Sequence, residues 1–184
     1  MTRIVAGTYR GRRIATPPGR DTRPTSDRVR EALFGALGDL AGLRLLDLYA
    51  GSGAIGLEAA SRGAAHVLLV ESDPRAARVI RDNIALVGAG AVARLAPSRV
   101  ESVLSGGPLG EPYDLVVADP PYETSETEIT ALLSGLVGHA WLAEDALVVV
   151  ERSRRSPEPA WVPGLTGERS RRYGETTLWY GRAL

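Results

Sequence analysis

The chain has 184 residues, no cysteine, and 22 basic residues, all arginine, against 22 acidic ones, for a formal net charge of +0. That length suits one domain with a sizeable core, and the missing cysteines exclude disulfides, thiolate metal sites and a cysteine nucleophile. No window approaches a membrane-spanning apolar length, and the N-terminus lacks an apolar segment after its basic residues, so a cytoplasmic protein is expected.

The balanced charge is unevenly spread. Residues 1–30 hold eight arginines against two acids, and residues 152–184 hold seven against three, which leaves an acidic middle. Basic ends on an acidic body suggest a polyanion footprint, although an arginine-preferring source would leave the same mark. Residues 1–24 are read as a small basic ribbon or arm, and residues 25–184 as the main domain. Glycine turns between Ile4-Val5-Ala6, Tyr9-Arg10-Gly11 and Arg13-Ile14-Ala15 predict two short strands. Such a ribbon is marginal alone, so it must pack on the core or be ordered by a partner. Arg10, Arg12 and Arg13 beside Tyr9 suit phosphates and stacking.

Residues 22–27 read as a loop entering a helix, with Thr25 or Ser26 as the cap and Asp27 at the positive end of the dipole. Val29, Leu33, Phe34, Ala36, Leu37 and Leu40 recur at helical spacing, while Arg28 and Arg30 are left for solvent or a ligand. Leu43, Leu45, Leu46 and Leu48 then form the apolar run of a strand covered on both faces. Asp47 interrupts it near the C-terminal end, where a parallel sheet binds ligands. Gly51, Gly53 and Gly56 permit a tight turn, close approach of a ligand, and packing of the next helix, predicted over 54–62.

Further strands are expected at 66–70, 91–95, 113–119 and 146–150, and helices at 74–87, 98–104 and 129–139. A terminal antiparallel ribbon is expected around Thr176–Tyr180. His66, at a strand's entry, reads as structural. Alternating strands and helices imply an α/β fold, Rossmann-like and mostly parallel, with helices on both faces. Right-handed crossovers bring Asp47, Glu71 and Asp119, each at a strand's end, to one cleft.

The glycine spacing and Glu71, 20 residues after Gly51, fit a dinucleotide site as well as an S-adenosylmethionine site. The glycines therefore leave the cofactor open. Asp119-Pro120-Pro121-Tyr122 supplies the second motif. Two prolines stiffen the backbone and present carbonyls without amide hydrogens. The Asp119 carboxylate and Pro120 carbonyl can accept both hydrogens of an exocyclic amine, turning its lone pair out of the ring plane toward an electrophilic methyl. Tyr122 can stack on the base.

The pairing of DLYAGSGAIG with DPPY resembles the class I, S-adenosylmethionine-dependent amino-methyltransferases, whose seven-stranded sheet has its last strand inserted antiparallel. AGTYRGRRI and TRPTSDRVREALF further resemble the bacterial family that methylates the N2 amine of one guanine in 16S ribosomal RNA. The resemblance implies S-adenosylmethionine as cofactor, no metal, a monomer, and 16S rRNA of the small ribosomal subunit or its assembly intermediate as partner. It implies catalytic roles for Asp119, Pro120, Pro121 and Tyr122. It places Asp47, Tyr49, Gly51, Ser52, Gly53, Glu71, Ser72, Ser98 and Asp119 around the cofactor, with Glu71 on the ribose hydroxyls and Asp47 at the methionine end. Arg23, Thr25 and Arg28 join Arg10, Arg12 and Arg13 as RNA-binding residues. The sequence Leu95-Ala96-Pro97-Ser98 departs from many methyltransferases by lacking an acid near the adenine, so backbone amides or Ser98 would serve there. DPPY alone leaves DNA adenine and a protein glutamine as acceptors. An NAD-dependent oxidoreductase and a non-enzymatic RNA-binding assembly factor are the readings from other classes.

Overall fold

The computed structural model describes residues 2–18 and 24–184, the side chains of residues 24–26 excepted. Its centre is a seven-stranded sheet in the order β5-β4-β3-β6-β7-β9-β8. The strands are β3 (Arg44–Leu48), β4 (His66–Val70), β5 (Ala93–Ala96), β6 (Tyr113–Ala118), β7 (Leu142–Ser153), β8 (Leu165–Tyr173) and β9 (Thr176–Ala183). β3 to β7 pair in parallel, and β9 lies antiparallel between β7 and β8. The inserted last strand is the expected arrangement.

The helices are α1 (Pro24–Leu37), α2 (Ala54–Ser61), α3 (Pro74–Val87), α4 (Val100–Ser105) and α5 (Glu126–Gly138). Val29, Leu33 and Phe34 of α1, Leu57 of α2 and Ile80 of α3 share one core with Leu45, Val117 and Val149. Val100 and Leu104 of α4 and Leu132, Leu133 and Leu136 of α5 share a second with Leu46, Val116 and Val148. Alternate residues of the same strands thus feed two cores, which is why these strands read as continuous apolar runs.

β1 (Thr2–Arg3) and β2 (Arg13–Ile14) form the N-terminal ribbon. Two residues per strand cannot hold a hairpin in water, so its order comes from the body. Ile4 and Ile14 are buried in the first core, each contributing about 1.5–3 kcal/mol of apolar burial. The buried Glu58 carboxylate accepts from the amides of Val5 (2.8 Å) and Ala6 (3.1 Å). Gly7 sits at φ 86°, where a β-carbon would lie 1.9 Å from the Ser61 carbonyl oxygen. The arm is therefore fastened to α2.

Several boundaries moved for local reasons. α1 starts at Pro24, a residue suited to a first helical turn, so Thr25 and Ser26 fall at positions inside the helix and not in the loop before it. α5 begins three residues before the predicted start, because Ser125 and Glu128 form a reciprocal capping box. β7 runs past both predicted ends of its strand, since Leu142 pairs with Tyr113 of β6 at one end and β9 pairs with it as far as Ser153 at the other. α3 matches its prediction, with Asp73 accepting from the Arg75 amide at one end and Gly88 at φ 77° closing the other.

Two arginines counted in the basic ends are internal. Arg30 is 8% exposed and donates to the Thr2 hydroxyl (3.0 Å) and the Arg3 carbonyl (2.8 Å), so it ties α1 to the ribbon and is not left for solvent. Arg152 is 5% exposed and donates to the Thr124 carbonyl (2.9 Å) and Glu126 (2.7 Å). Burial is too costly for an unpaired guanidinium, and both have found oxygens.

Candidate active site

β3 is flanked by β4 on one side and β6 on the other, so successive connections leave it in opposite directions. Such a switch point opens a crevice beyond the strands' C-terminal ends. Asp47 stands in register with Val117 of β6, two residues before Asp119. The carboxylates of Asp119 and Glu71 both act electrostatically on Asp47, so the three predicted acids meet at one cleft.

The cofactor side is built around the turn after β3. Tyr49 adopts φ 59°, Gly51 φ 62° and Gly53 φ 84°, and Gly53 opens α2 without a side-chain cap. The helix N-terminus is thereby left to a ligand's polar groups. At Gly56 a β-carbon would fall 2.6 Å from Leu69, so the predicted close packing of helix on strand is real. Asp47 is 2% exposed, and among the described residues only the Gly56 amide donates to it (2.9 Å). Burial, with Asp119 and Glu71 adding to it, pushes Asp47 up to about 7. A buried acid facing two others is a place for a cation.

Glu71 is 6% exposed and accepts from the amides of Gly51 (2.8 Å) and Asp73 (2.9 Å). It clamps the ends of two ligand loops while keeping lone pairs for hydroxyl groups. Asn83, which the sequence did not single out, donates to the carbonyls of Ser52 and Ala15, each at 2.9 Å. It joins the glycine turn to the part of the arm that follows β2. Ser72 follows Glu71 in the same loop, and Ser98 is exposed beyond β5, its amide on the Ala96 carbonyl.

The opposing lip begins where β6 ends. The Asp119 amide reaches the Leu48 carbonyl (3.5 Å), Pro120 is buried, and Pro121 accepts from the Thr124 amide (3.0 Å) to close a turn. Tyr122 is 63% exposed. Tyr49 and Pro121 line a cleft of about 430 Å³ against α4 and α5. Burial and the charges of Glu101 and Glu128 push the Tyr49 hydroxyl up to about 12, which keeps it a neutral donor.

Glu151, also missed from sequence, lies one residue beyond Val150, which pairs with Ala118. It therefore stands beside Asp119 on the neighbouring strand. Its signal was available, since a lone acid ends the run Leu147-Val-Val-Val150.

Arg10, Arg12, Arg13 and Arg28 are exposed; Arg12 lies over the Tyr9 ring at 5.2 Å and donates to the Val87 carbonyl. Arg23 and the side chain of Thr25 lie outside the described residues. His66 bonds the Tyr113 hydroxyl through Nε2 (2.9 Å) at the far end of the sheet. Among the described residues no helix is long and apolar enough to cross a membrane.

This geometry agrees with what the chain is similar to. Residues 2–182 match the model of the family described as Conserved hypothetical protein 95. Ribosomal RNA small subunit methyltransferase D of Escherichia coli (strain K12) is 41% identical over 150 residues, covering 81% of this chain and 73% of that protein. The solved structure described as "Putative methyltransferase yhhF from Escherichia coli" superposes with a TM-score of 0.86 at 35% identity, covering 99% of this chain and 97% of that one. In fold alone, magnesium protoporphyrin IX methyltransferase (ChlM) from Synechocystis PCC 6803, solved with bound SAM, superposes with a TM-score of 0.69 at 15% identity, covering 90% of this chain and 87% of that one. With the turn, the buried acids and the DPPY lip in place, the chain belongs to the Conserved hypothetical protein 95 family, has the class I methyltransferase fold and is a methyltransferase of the small-subunit rRNA methyltransferase D type.

Proposed function

We propose that this protein methylates the exocyclic N2 amine of a guanine in 16S rRNA of the small ribosomal subunit. The observation that carries the reading is the Asp119-Pro120-Pro121-Tyr122 tip of β6, placed across the switch point from the glycine turn of β3. The similarity to the E. coli rRNA enzyme supports the substrate class.

Bound S-adenosylmethionine supplies an electrophilic methyl on a positively charged sulfur. The chain's own residues bind, orient and deprotonate. Asp47 offers a buried acid to the cationic end of the cofactor, and the Gly51–Gly53 turn lets the backbone approach it. Glu71 takes the ribose hydroxyls, while Ser72 and Ser98 lie toward the adenosine. On the other lip, the Asp119 carboxylate and Pro120 carbonyl hold the amine's hydrogens, and Tyr122 covers the base. Holding two reactants in line is worth roughly 7–11 kcal/mol, more than a general base supplies. Asp119 then takes the proton that the amine sheds as it becomes acidic. The base must be flipped out or already unpaired to reach this depth.

Exposed Arg10, Arg13 and Arg28, with Arg12 and with Arg23 and Thr25 next to them in sequence, give the RNA backbone its track. One chain carries both lips, so a monomer suffices, and a ribosomal substrate puts the work in the cytoplasm.

The test is to incubate the protein with labelled S-adenosylmethionine and small subunits from a strain lacking it, then map the modified base. Label on the N2 of one guanine is the expected result. Label on adenine, on a protein or nowhere overturns the reading.

A further inference from the structure

The buried acids of this protein differ in what holds them. Glu58 takes three donors, counting Arg62 Nε at 2.8 Å, Glu71 takes two, and Asp47 takes one. Glu151 takes none among the described residues, although it is only partly exposed. Its surroundings are set by the sheet. On one side is Asp119, one step beyond the Ala118–Val150 pair; on the other is Leu178 of β9, 1% exposed and apolar, with Arg171 of β8 the next residue across. Neighbouring strands lie about 4.8 Å apart, so the Glu151 and Asp119 side chains start close enough together to converge on one edge of a single base. An acid left without donors, at the mouth of a site for an aryl amine, is complementary to a ligand that brings a donor.

We infer that Glu151 accepts the N1–H of the target guanine, beside the N2 amine held by Asp119 and the Pro120 carbonyl, and that it selects guanine by this contact. The inference rests on the guanine reading above. In guanine the N1–H donor directly adjoins the amine. In adenine the ring nitrogen adjoining the amine carries a lone pair, which would face an acid oxygen. Burial and the Asp119 charge push Glu151 up to about 8. A neutral carboxyl still offers its carbonyl oxygen to N1–H, and its hydroxyl can donate to O6. Glutamine presents the same acceptor and donor pair, whereas alanine presents neither.

The experiment uses small subunits reconstituted on rRNA with either guanine or 2-aminopurine at the mapped position. 2-Aminopurine keeps the N2 amine and lacks both N1–H and O6. The wild-type protein should prefer guanine by about tenfold or more in kcat/KM. Glu151→Gln should keep that preference. Glu151→Ala should lower kcat/KM on guanine about tenfold, mainly through KM, and bring the preference to within about threefold of unity. Calorimetric S-adenosylmethionine binding within about twofold of wild type confirms that each variant is folded, and Glu151→Leu replaces the alanine variant if it is not. A wild-type preference near unity, or an alanine or leucine variant that retains the wild-type preference, overturns the role of Glu151 and leaves the methylation reading standing. A wild-type protein that labels neither particle overturns the underlying reading.

Discussion

On the β3 side of the cleft the backbone is held from within. Asp47 grips Gly56, Glu71 grips Gly51 and Asp73, and Asn83 grips Ser52, all in buried or half-buried surroundings. On the β6 side stiffness comes from two prolines and the Pro121–Thr124 turn, with Asp119, Pro121 and Tyr122 exposed. The first lip is held rigid before any ligand arrives, which fits the proposed cofactor site. The second fixes an acid and a carbonyl but leaves its aromatic face open, which fits the proposed RNA base arriving attached to a much larger body.

The contrast is broken most sharply at Asp119. On the proposed function, Asp119→Ala removes an acceptor of the amine's hydrogens and the proton's destination, so methyl transfer should fall about 10²–10⁴-fold. S-Adenosylmethionine binding by calorimetry should stay within a few fold, because the β3 lip keeps its hydrogen bonds. Equal losses of binding and transfer would mean that the two lips are not separable.

Arg152 tests whether the β6 lip needs bracing. It is the buried cation on Thr124 and Glu126, directly after the DPPY turn. Arg152→Met keeps the apolar stem and loses both bonds, and small displacements of a positioned acid are costly, so kcat should fall about ten- to a hundredfold with cofactor affinity unchanged. Single-turnover kinetics separates the two quantities.

The architecture was legible because apolar runs, glycine stops and strand-end acids are local signals. The same locality explains the misses. Arg30 and Arg152 have the composition of surface charge, and only the sheet and ribbon, formed by distant segments, bring oxygens to them. Glu151 looks like the end of a strand until β7 is set beside β6. Asn83 is one polar residue on an amphipathic helix, and its two carbonyl partners come from residues 31 and 68 positions away. Half of each lip follows from its own sequence; what supports the lip comes from elsewhere in the chain.

Titration sharpens the cofactor side. Asp47 is pushed up to about 7 from an ordinary value of 3.8, so between those pH values the folded chain holds a proton that the unfolded chain has lost. Stability of the unliganded protein from this group is therefore fully present below pH 3.8 and is lost as pH rises toward 7. A cationic ligand favours the ionised acid, so cofactor affinity should rise with pH up to about 7, by at most about tenfold per unit. Denaturant unfolding and calorimetry at pH 5, 6, 7 and 8, against Asp47→Asn, give both slopes, and the asparagine variant should lack this contribution to each.

The smallest effect belongs to the arm, and it reads a different property. The side chains of Arg10 and Arg13 are exposed and make no hydrogen bond or ion pair among the described residues, while Ile4, Ile14 and Glu58 hold the ribbon in place. Replacing both arginines by alanine should leave the fold and the cofactor site untouched. If each meets one phosphate, RNA affinity falls and its dependence on salt loses about one unit of logarithmic slope per arginine. Arg12 differs, because its guanidinium already serves the Val87 carbonyl and the Tyr9 ring. Arg12→Ala should therefore cost thermal stability as well. An Arg10 and Arg13 double variant with the wild-type salt slope would move the RNA track off the ribbon, and the exposed Arg169, Arg171 and Arg172 of β8 would be the next residues to titrate against salt.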